Sequence, residues 1–316
     1  MTWTQLGLSK NTKTTPRIRE RDDGRASYYP ELANSFGIPA GVSCPGATEA
    51  FCRQHCYAFD TEGRTNVFNN VAANFNALVG ATEDEMFHML DDMIGRYLQD
   101  FDKSAIDQKH NNFRIHWDGD FFSVEYARAW ARVITEYPEI MFWVYTRSFR
   151  EPVNVVPELL GIDNLSLYLS VDRGNIDDAR IMAAEYPTVM MAYCGSTYAD
   201  ALALSEAMQR PHKALACPEN LGRLALAHNG MGACQSCRWC LKGPTAPRRY
   251  DIMFFDNPSL QSQLPVSVPV KLSRRDRSAA YAPGAVRLAL RPRGAANAFI
   301  IDDVEVLDEE PHPMLF

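Results

Sequence analysis

Between residues 37 and 217, short apolar stretches alternate with segments of helical period, and this alternation limits what the chain can fold into more than any other feature. Residues 140–145 and 188–193 lack the every-second-residue polarity of a strand that faces water. Strands of that kind are buried on both faces, the condition of a parallel sheet covered by helices. Further strands are expected at 38–43, 113–117, 165–170 and 213–216, and helices over 66–79, 83–101, 123–137, 176–186 and 198–209. In the first helix Val67, Val71, Phe75 and Leu78 share a face; in the second Met86, Met89, Leu90, Met93, Tyr97, Leu98 and Phe101 do. Thr82 and Glu85 form a capping box that fixes where the second begins. Its methionine stripe reads as core filling rather than a binding surface.

Two junctions repeat. Glu136-Tyr137-Pro138 and Glu185-Tyr186-Pro187 each close a helix and lead into an apolar strand. Proline cannot continue a helix, so the chain turns there. With a first strand at 38–43 the count is six βα units. The expected fold is α/β, a partial (β/α)6 TIM-like barrel of parallel strands, open rather than closed at eight. On this reading residues 1–36 are a polar N-terminal arm, 37–217 the barrel, and 218–316 a cysteine- and proline-rich extension of irregular structure. The arm reads as a solvated lead-in, with contact to phosphates as the sharper alternative. Residues 271–293 are basic and 302–310 acidic, with a short strand expected at 298–301. Mutual neutralisation of these stretches is favoured over an anionic partner.

The formal charge of −7 argues against a general nucleic-acid coat. The first residues lack a basic-then-apolar leader, and no apolar run approaches the ~18 residues of a membrane span. A cytoplasmic protein without a membrane partner is the expectation. In that compartment the eight cysteines are better suited to metal or redox work than to a disulfide framework.

Seven of them fall into two groups. Cys217 precedes Pro218, and Cys234, Cys237 and Cys240 follow at C-x2-C-x2-C spacing, the ligand pattern of a ferredoxin-type [4Fe–4S] cluster. Structural zinc sites more often use two separated C-x2-C pairs. Iron–sulfur is favoured, with zinc and thiol or disulfide chemistry left open. Cys44, Cys52 and Cys56 form a C-x7-C-x3-C group that could hold a cluster and leave one iron open to a ligand. One cluster or two are both compatible. Ser43 and His55 are conceivable auxiliary ligands, and Tyr57 places an aromatic ring beside the group. Cys194 stands alone and reads as a small buried hydrophobe.

Parallel α/β folds build their sites at the carboxyl ends of the strands. Those ends carry Cys44, His116, Asp118, Gly119, Asp120, Arg147, Asp172, Arg173, Cys194 and Cys217. His116, Asp118, Asp120, Arg147 and Asp172 are therefore the catalytic candidates, and the barrel mouth is the place for a small-molecule ligand. His116, Asp118 and Asp120 could hold an amino group, a metal or a ribose hydroxyl. The plainer alternative is a strand-to-helix turn capped by Asp120 or Ser123.

Several segments resemble the bacteriophage family called gene product 88: residues 8–14, 38–46, Cys52-x3-Cys56-Tyr57-Ala58, 116–123 and 217–240. The resemblance covers most of the first 245 residues or so and implies a phage-encoded protein acting in the cytoplasm of a bacterial host. More distantly, the chain is similar to radical S-adenosylmethionine enzymes. That likeness implies a partial barrel, a cluster on Cys44, Cys52 and Cys56, and cofactor contacts from Tyr57, Asp118, Gly119 and Asp120. It also implies an auxiliary cluster on Cys217, Cys234, Cys237 and Cys240. The spacing differs: that family has C-x3-C-x2-C where this chain has C-x7-C-x3-C. An iron–sulfur protein with redox or radical chemistry, and S-adenosylmethionine as a second cofactor, is the leading expectation. The alternatives are a non-catalytic iron–sulfur protein that binds a host or phage protein, and a zinc-stabilised nucleic-acid-binding protein.

Overall fold

The computed structural model describes residues 3–16, 18–19, 29–30, 32–104, 106–228, 231–243, 246, 249–255, 286–288 and 304–306. Seven strands form one parallel sheet: β1 (Ser35–Gly37), β2 (Asn112–Asp118), β3 (Met141–Thr146), β4 (Leu165–Val171), β5 (Met190–Gly195), β6 (Ala214–Ala216) and β7 (Asp251–Phe255). The helices are α1 (Tyr57–Glu62), α2 (Thr65–Leu78), α3 (Glu83–Lys103), α4 (Val124–Glu136), α5 (Val156–Leu159), α6 (Ile176–Glu185), α7 (Tyr198–Met208) and α8 (Ala233–Cys237). The spatial order is β1-β2-β3-β4-β5-β7-β6. β1 and β6 are the two edges, so the barrel does not close.

The apolar pattern accounts for most of this. β4 is buried along its whole length, and β2 at all but one position. Phe36, Phe113, Phe142 and Trp130 stack between the first strands and α4. The methionine stripe of α3 is core, with Met86, Met89 and Met93 all buried. The Thr82–Glu85 capping box starts that helix, and Ser123 caps α4 by accepting from the amide of Tyr126.

Three expectations are corrected. The strand expected at 38–43 lies at Ser35–Gly37 instead. Pro39 cannot donate to a ladder, Gly41 has φ +83°, and the Ser43 hydroxyl donates to the Pro39 carbonyl at 2.7 Å, so 38–44 folds as turns. The described part of the N-terminal arm is packed rather than solvated. Leu6, Thr14 and Thr15 are buried, Ser9 bridges to Ser35, and Asn74 of α2 clamps both the amide and the carbonyl of Gly7. Finally, 251–255, in the segment assigned to an irregular extension, is a sheet strand that separates β5 from β6. Its anchor is Asp251, which accepts from the Met191 amide (2.9 Å), the Tyr193 hydroxyl (3.0 Å) and Arg210 Nε (3.2 Å).

The connection from β6 to β7 is therefore a crossover between parallel neighbours. Such crossovers are usually helical; this one carries the second cysteine group. The basic stretch is described only as the backbone of Val286–Leu288, paired antiparallel with Val304–Val306; the rest of it, most of the acidic tail and the strand expected at 298–301 lie outside the described residues. Among the described residues no helix is long and apolar enough to cross a membrane.

Candidate functional site

A cavity of about 1010 Å³ opens at the carboxyl end of the sheet. All eight cysteines line it, Cys194 included, and all are free thiols. Around them are Tyr57, Arg114, His116, Asp118, Gly119, Asp120 and Arg147. The first and second cysteine groups, separated by more than 150 residues, thus form walls of one space.

The first group sits on the loop between β1 and α1. Thr48 holds that loop to the sheet: its hydroxyl donates to Asp172 Oδ2 at 2.8 Å and accepts from the Cys52 amide at 3.1 Å. Gly46 passes so close to Arg147 that a β-carbon would collide with the Arg147 carbonyl. Cys56 is the N-cap of α1, and Tyr57 begins the helix. Burial pushes the Cys44 thiol far above its ordinary value, with Asp120, Cys52 and Cys56 adding to the shift. Burial also raises Cys52, against the pull of Arg147, and raises Cys56, to which Cys52 and Asp118 contribute. Cys52 thus stands close enough to disfavour ionisation of both Cys44 and Cys56.

The second group is strapped in place by the N-terminal segment. The amides of Cys234 and Gly232 donate to the carbonyls of Lys13 (2.9 Å) and Thr15 (3.0 Å), and Lys13 Nζ pairs with Glu219 at 2.8 Å. A β-carbon on Gly232 would strike the Thr12 and Lys13 carbonyls. Cys217 is fixed by its amide bond to the Met253 carbonyl, at 3.0 Å, and so by β7. Arg238, at φ +57°, turns the chain after α8, and Cys237 before it and Cys240 beyond it both line the cavity. Burial pushes Cys234 up to about 12, with Cys217 and Cys237 contributing, and Cys240 feels Cys234, Cys217 and Cys237 in turn. Tyr145 stands beside Cys240 and Cys234.

Between the two groups lies the end of β2. Gly119 has φ +75°, and any side chain there would run into Ile38 and Ser43. Asp120 is an organiser. Its carboxylate accepts from the Thr146 hydroxyl (2.6 Å), the Phe121 amide (2.8 Å) and the Arg147 amide (2.7 Å). Burial nonetheless pushes it up to about 6. Asp172 is organised in the same way by Thr48, by the Gly174 amide (2.7 Å) and by an ion pair with Arg147. Asp172 is fully buried and is not part of the cavity wall. Arg147 is, with its guanidinium committed to Asp172. These three positions hold loops and charges in place; Asp118 is different. It lies against the Glu62 carboxyl and shares a side-chain hydrogen bond with it, and burial, followed by that neighbour, pushes it well above the usual carboxylate range. His116, at φ +56°, shares a 2.9 Å hydrogen bond with Tyr126 through Nε2 and leaves Nδ1 unpartnered. Burial, then Arg114, lowers it to about 3, so the ring is neutral near pH 7.

Arg173 extends outward to Asp200 at 3.6 Å. Thr48, Glu62, Arg114, Trp143 and Tyr145 escaped the sequence reading. Arg114 was legible: it stands two residues before His116 and four before Asp118 on one strand, where the two-residue period aligns side chains. Thr48 and Glu62 carried no such signal, because their partners lie 124 and 22 residues away.

Among the described residues no group of three or more His, Cys, Asp or Glu side chains stands as a ready site for a single metal ion. The chemistry of the donor set still suits a soft metal, with free thiols in two neighbouring groups.

The comparisons with known proteins agree on ancestry. A family described as Gene product 88 matches residues 6–243, a span that stops short of β7. The Gene 88 protein of Mycobacterium phage L5 is 36% identical over 242 residues, covering 76% of this chain and 95% of that protein. The Gene 88 protein of Mycobacterium phage D29 is 37% identical over 242 residues, covering 75% and 94%. No solved structure matches.

Proposed function

This chain belongs to the Gene product 88 family of phage proteins, and we propose that it is an iron–sulfur protein whose cavity accepts a small molecule between two thiol groups. The observation that carries this reading is the convergence of cysteines from residues 44 to 240 on one cavity, every one of them free. Cys44, Cys52 and Cys56 would hold one cluster, and Cys217, Cys234, Cys237 and Cys240 a second. A cluster on three thiolates supplies single electrons and an iron open to a ligand. Zinc, held by thiolates ~2.3 Å from a single point, is the competing metal, and the metal content decides between the two.

Within this reading the chain's own residues divide the work. Asp120 and Asp172 hold the Cys52 loop and Arg147 against the sheet. His116, neutral and half-bonded, offers one ring nitrogen to a ligand. Asp118 and Glu62 form a carboxyl pair at the end of β2. That pair favours a finer form, in which a ligand's ammonium group takes the place of the proton the two carboxyls otherwise share, as the amino group of S-adenosylmethionine would. Asp120, with both oxygens already occupied, would not grip it.

The test is the iron, sulfide and zinc content of anaerobically purified protein, read with its visible absorption. Iron and sulfide in near-equal amounts are expected, and zinc without iron would sink the reading. The finer form is tested by reducing the iron-loaded protein with S-adenosylmethionine and looking for 5′-deoxyadenosine.

A further inference from the structure

Arg114 points to what kind of molecule the cavity takes. It comes from the middle of β2, lies 5.3 Å from the Trp143 ring centroid, and is only half-buried because it faces the cavity. Its one hydrogen bond is from Nη2 to the Tyr57 hydroxyl, at 3.0 Å; its Nε is buried without a partner. Tyr57 is itself fixed, because its hydroxyl donates to the Trp117 carbonyl, and its ring is 58% exposed. No carboxylate among the described residues pairs with Arg114. The other cations of the wall differ. Arg147 is paired with Asp172 and Lys13 with Glu219, Arg238 is bound to the Lys109 carbonyl, and Lys10 and Arg64 lie at the exposed rim. A guanidinium has five N–H donors in a planar fork that fits an oxyanion, and a buried charge left unpaired is costly.

We infer that Arg114, held by Tyr57 and Trp143, is the anion-binding point of the cavity, and that the small molecule bound there carries a carboxylate or a phosphate. This rests on the cavity's being a ligand site, as proposed above, and not on metal being present in it. Trp143 and Tyr57 fix the guanidinium before the ligand arrives, so little side-chain freedom is lost on binding.

Titrating the full, metal-free chain with acetate and with inorganic phosphate tests it, at constant ionic strength with chloride as control. Calorimetry and tryptophan fluorescence serve as readouts. Saturable binding of one anion is expected, with acetate preference identifying a carboxylate ligand and phosphate preference a phosphorylated one. Arg114→Gln should weaken it about tenfold or more, the loss expected of one charged hydrogen-bonded contact, and Arg114→Lys and Tyr57→Phe less. Far-ultraviolet circular dichroism of each variant checks folding, and Tyr57→Phe carries the test if Arg114→Gln does not fold. No saturable binding by the wild type, or binding unchanged by the variants, overturns the inference. Wild-type protein that binds the anion through Arg114 but retains no iron would leave this inference standing and sink the iron–sulfur reading alone. If instead iron is retained, anions do not bind, and Arg114→Gln strips the iron, then Arg114 is a counter-charge to the second thiol group and the inference fails.

Discussion

Thr48 and Asp172 are joined by a 2.8 Å hydrogen bond that spans 124 residues of sequence and ties the first cysteine loop to the end of β4. The same hydroxyl accepts the Cys52 amide, so one oxygen sets both the position of the loop and the direction of a thiol. Thr48→Val keeps the shape and removes both bonds, leaving Asp172 and the Cys52 amide without this partner. A loss of about 1–3 kcal/mol is expected in urea denaturation. The iron-to-protein ratio should fall in parallel, since Cys52 is then free to turn away.

Gly119 is a close contact between the end of β2 and the turn that leads to Cys44. Alanine there adopts a left-handed backbone at a cost of ~1 kcal/mol and also meets Ile38 and Ser43. Gly119→Ala should lower the thermal midpoint by several degrees. Gly80→Ala, where φ is +78° but nothing stands within 4 Å, should lower it by the backbone strain alone. Equal shifts in the two variants would show that the contact with the cysteine turn is unimportant.

His116 makes stability fall in acid. Its folded-state value is lowered to about 3, below the ordinary 6.5 or so. The unfolded chain therefore binds a proton that the native chain refuses as pH drops between those values. Each pH unit in that window costs up to about 1.4 kcal/mol from this group. Above pH 6.5 or so the effect is absent. His116→Asn tolerates the left-handed backbone and should show a shallower loss of stability between pH 6 and 4 than the wild type, as measured by denaturant titrations across that range.

Cys44 and Cys56 are raised by neighbours in the first group, and Cys234, Cys237 and Cys240 by neighbours in the second. The two groups should load separately. Cys52→Ser and Cys234→Ser are each expected to lose part of the iron, and the double variant nearly all of it. If either single variant loses everything, one shared cluster must replace the two.

The βα alternation was plain in the sequence because it depends on local period. The tyrosine–proline junctions, the Thr82–Glu85 box and the methionine stripe all act within a few residues of themselves. The first strand was misplaced by three residues because Ile38 and Val42 are apolar while Pro39 and Gly41 govern the backbone. β7 was missed because its claim to the sheet rests on Asp251 meeting Met191, Tyr193 and Arg210, contacts of long sequence separation that no window contains. Most of the strand-end residues did gather at one cavity, while Asp172 lies behind its wall and Arg173 turns outward to Asp200. That Asp120 and Asp172 act as organisers while Arg114 keeps a donor free follows from hydrogen-bond partners that only the folded chain reveals.

β6 has a single neighbour in the sheet, and that neighbour is β7. During synthesis the strand that carries Cys217 to the cavity thus has no strand to pair with until residue 255 has left the ribosome. The first thiol loop can settle on β2, β3 and β4 long before that. Assembly of the site is therefore ordered in time, with the second wall arriving last. A chain cut after 243, where the family match ends, would have every cysteine and still leave Cys217 undocked.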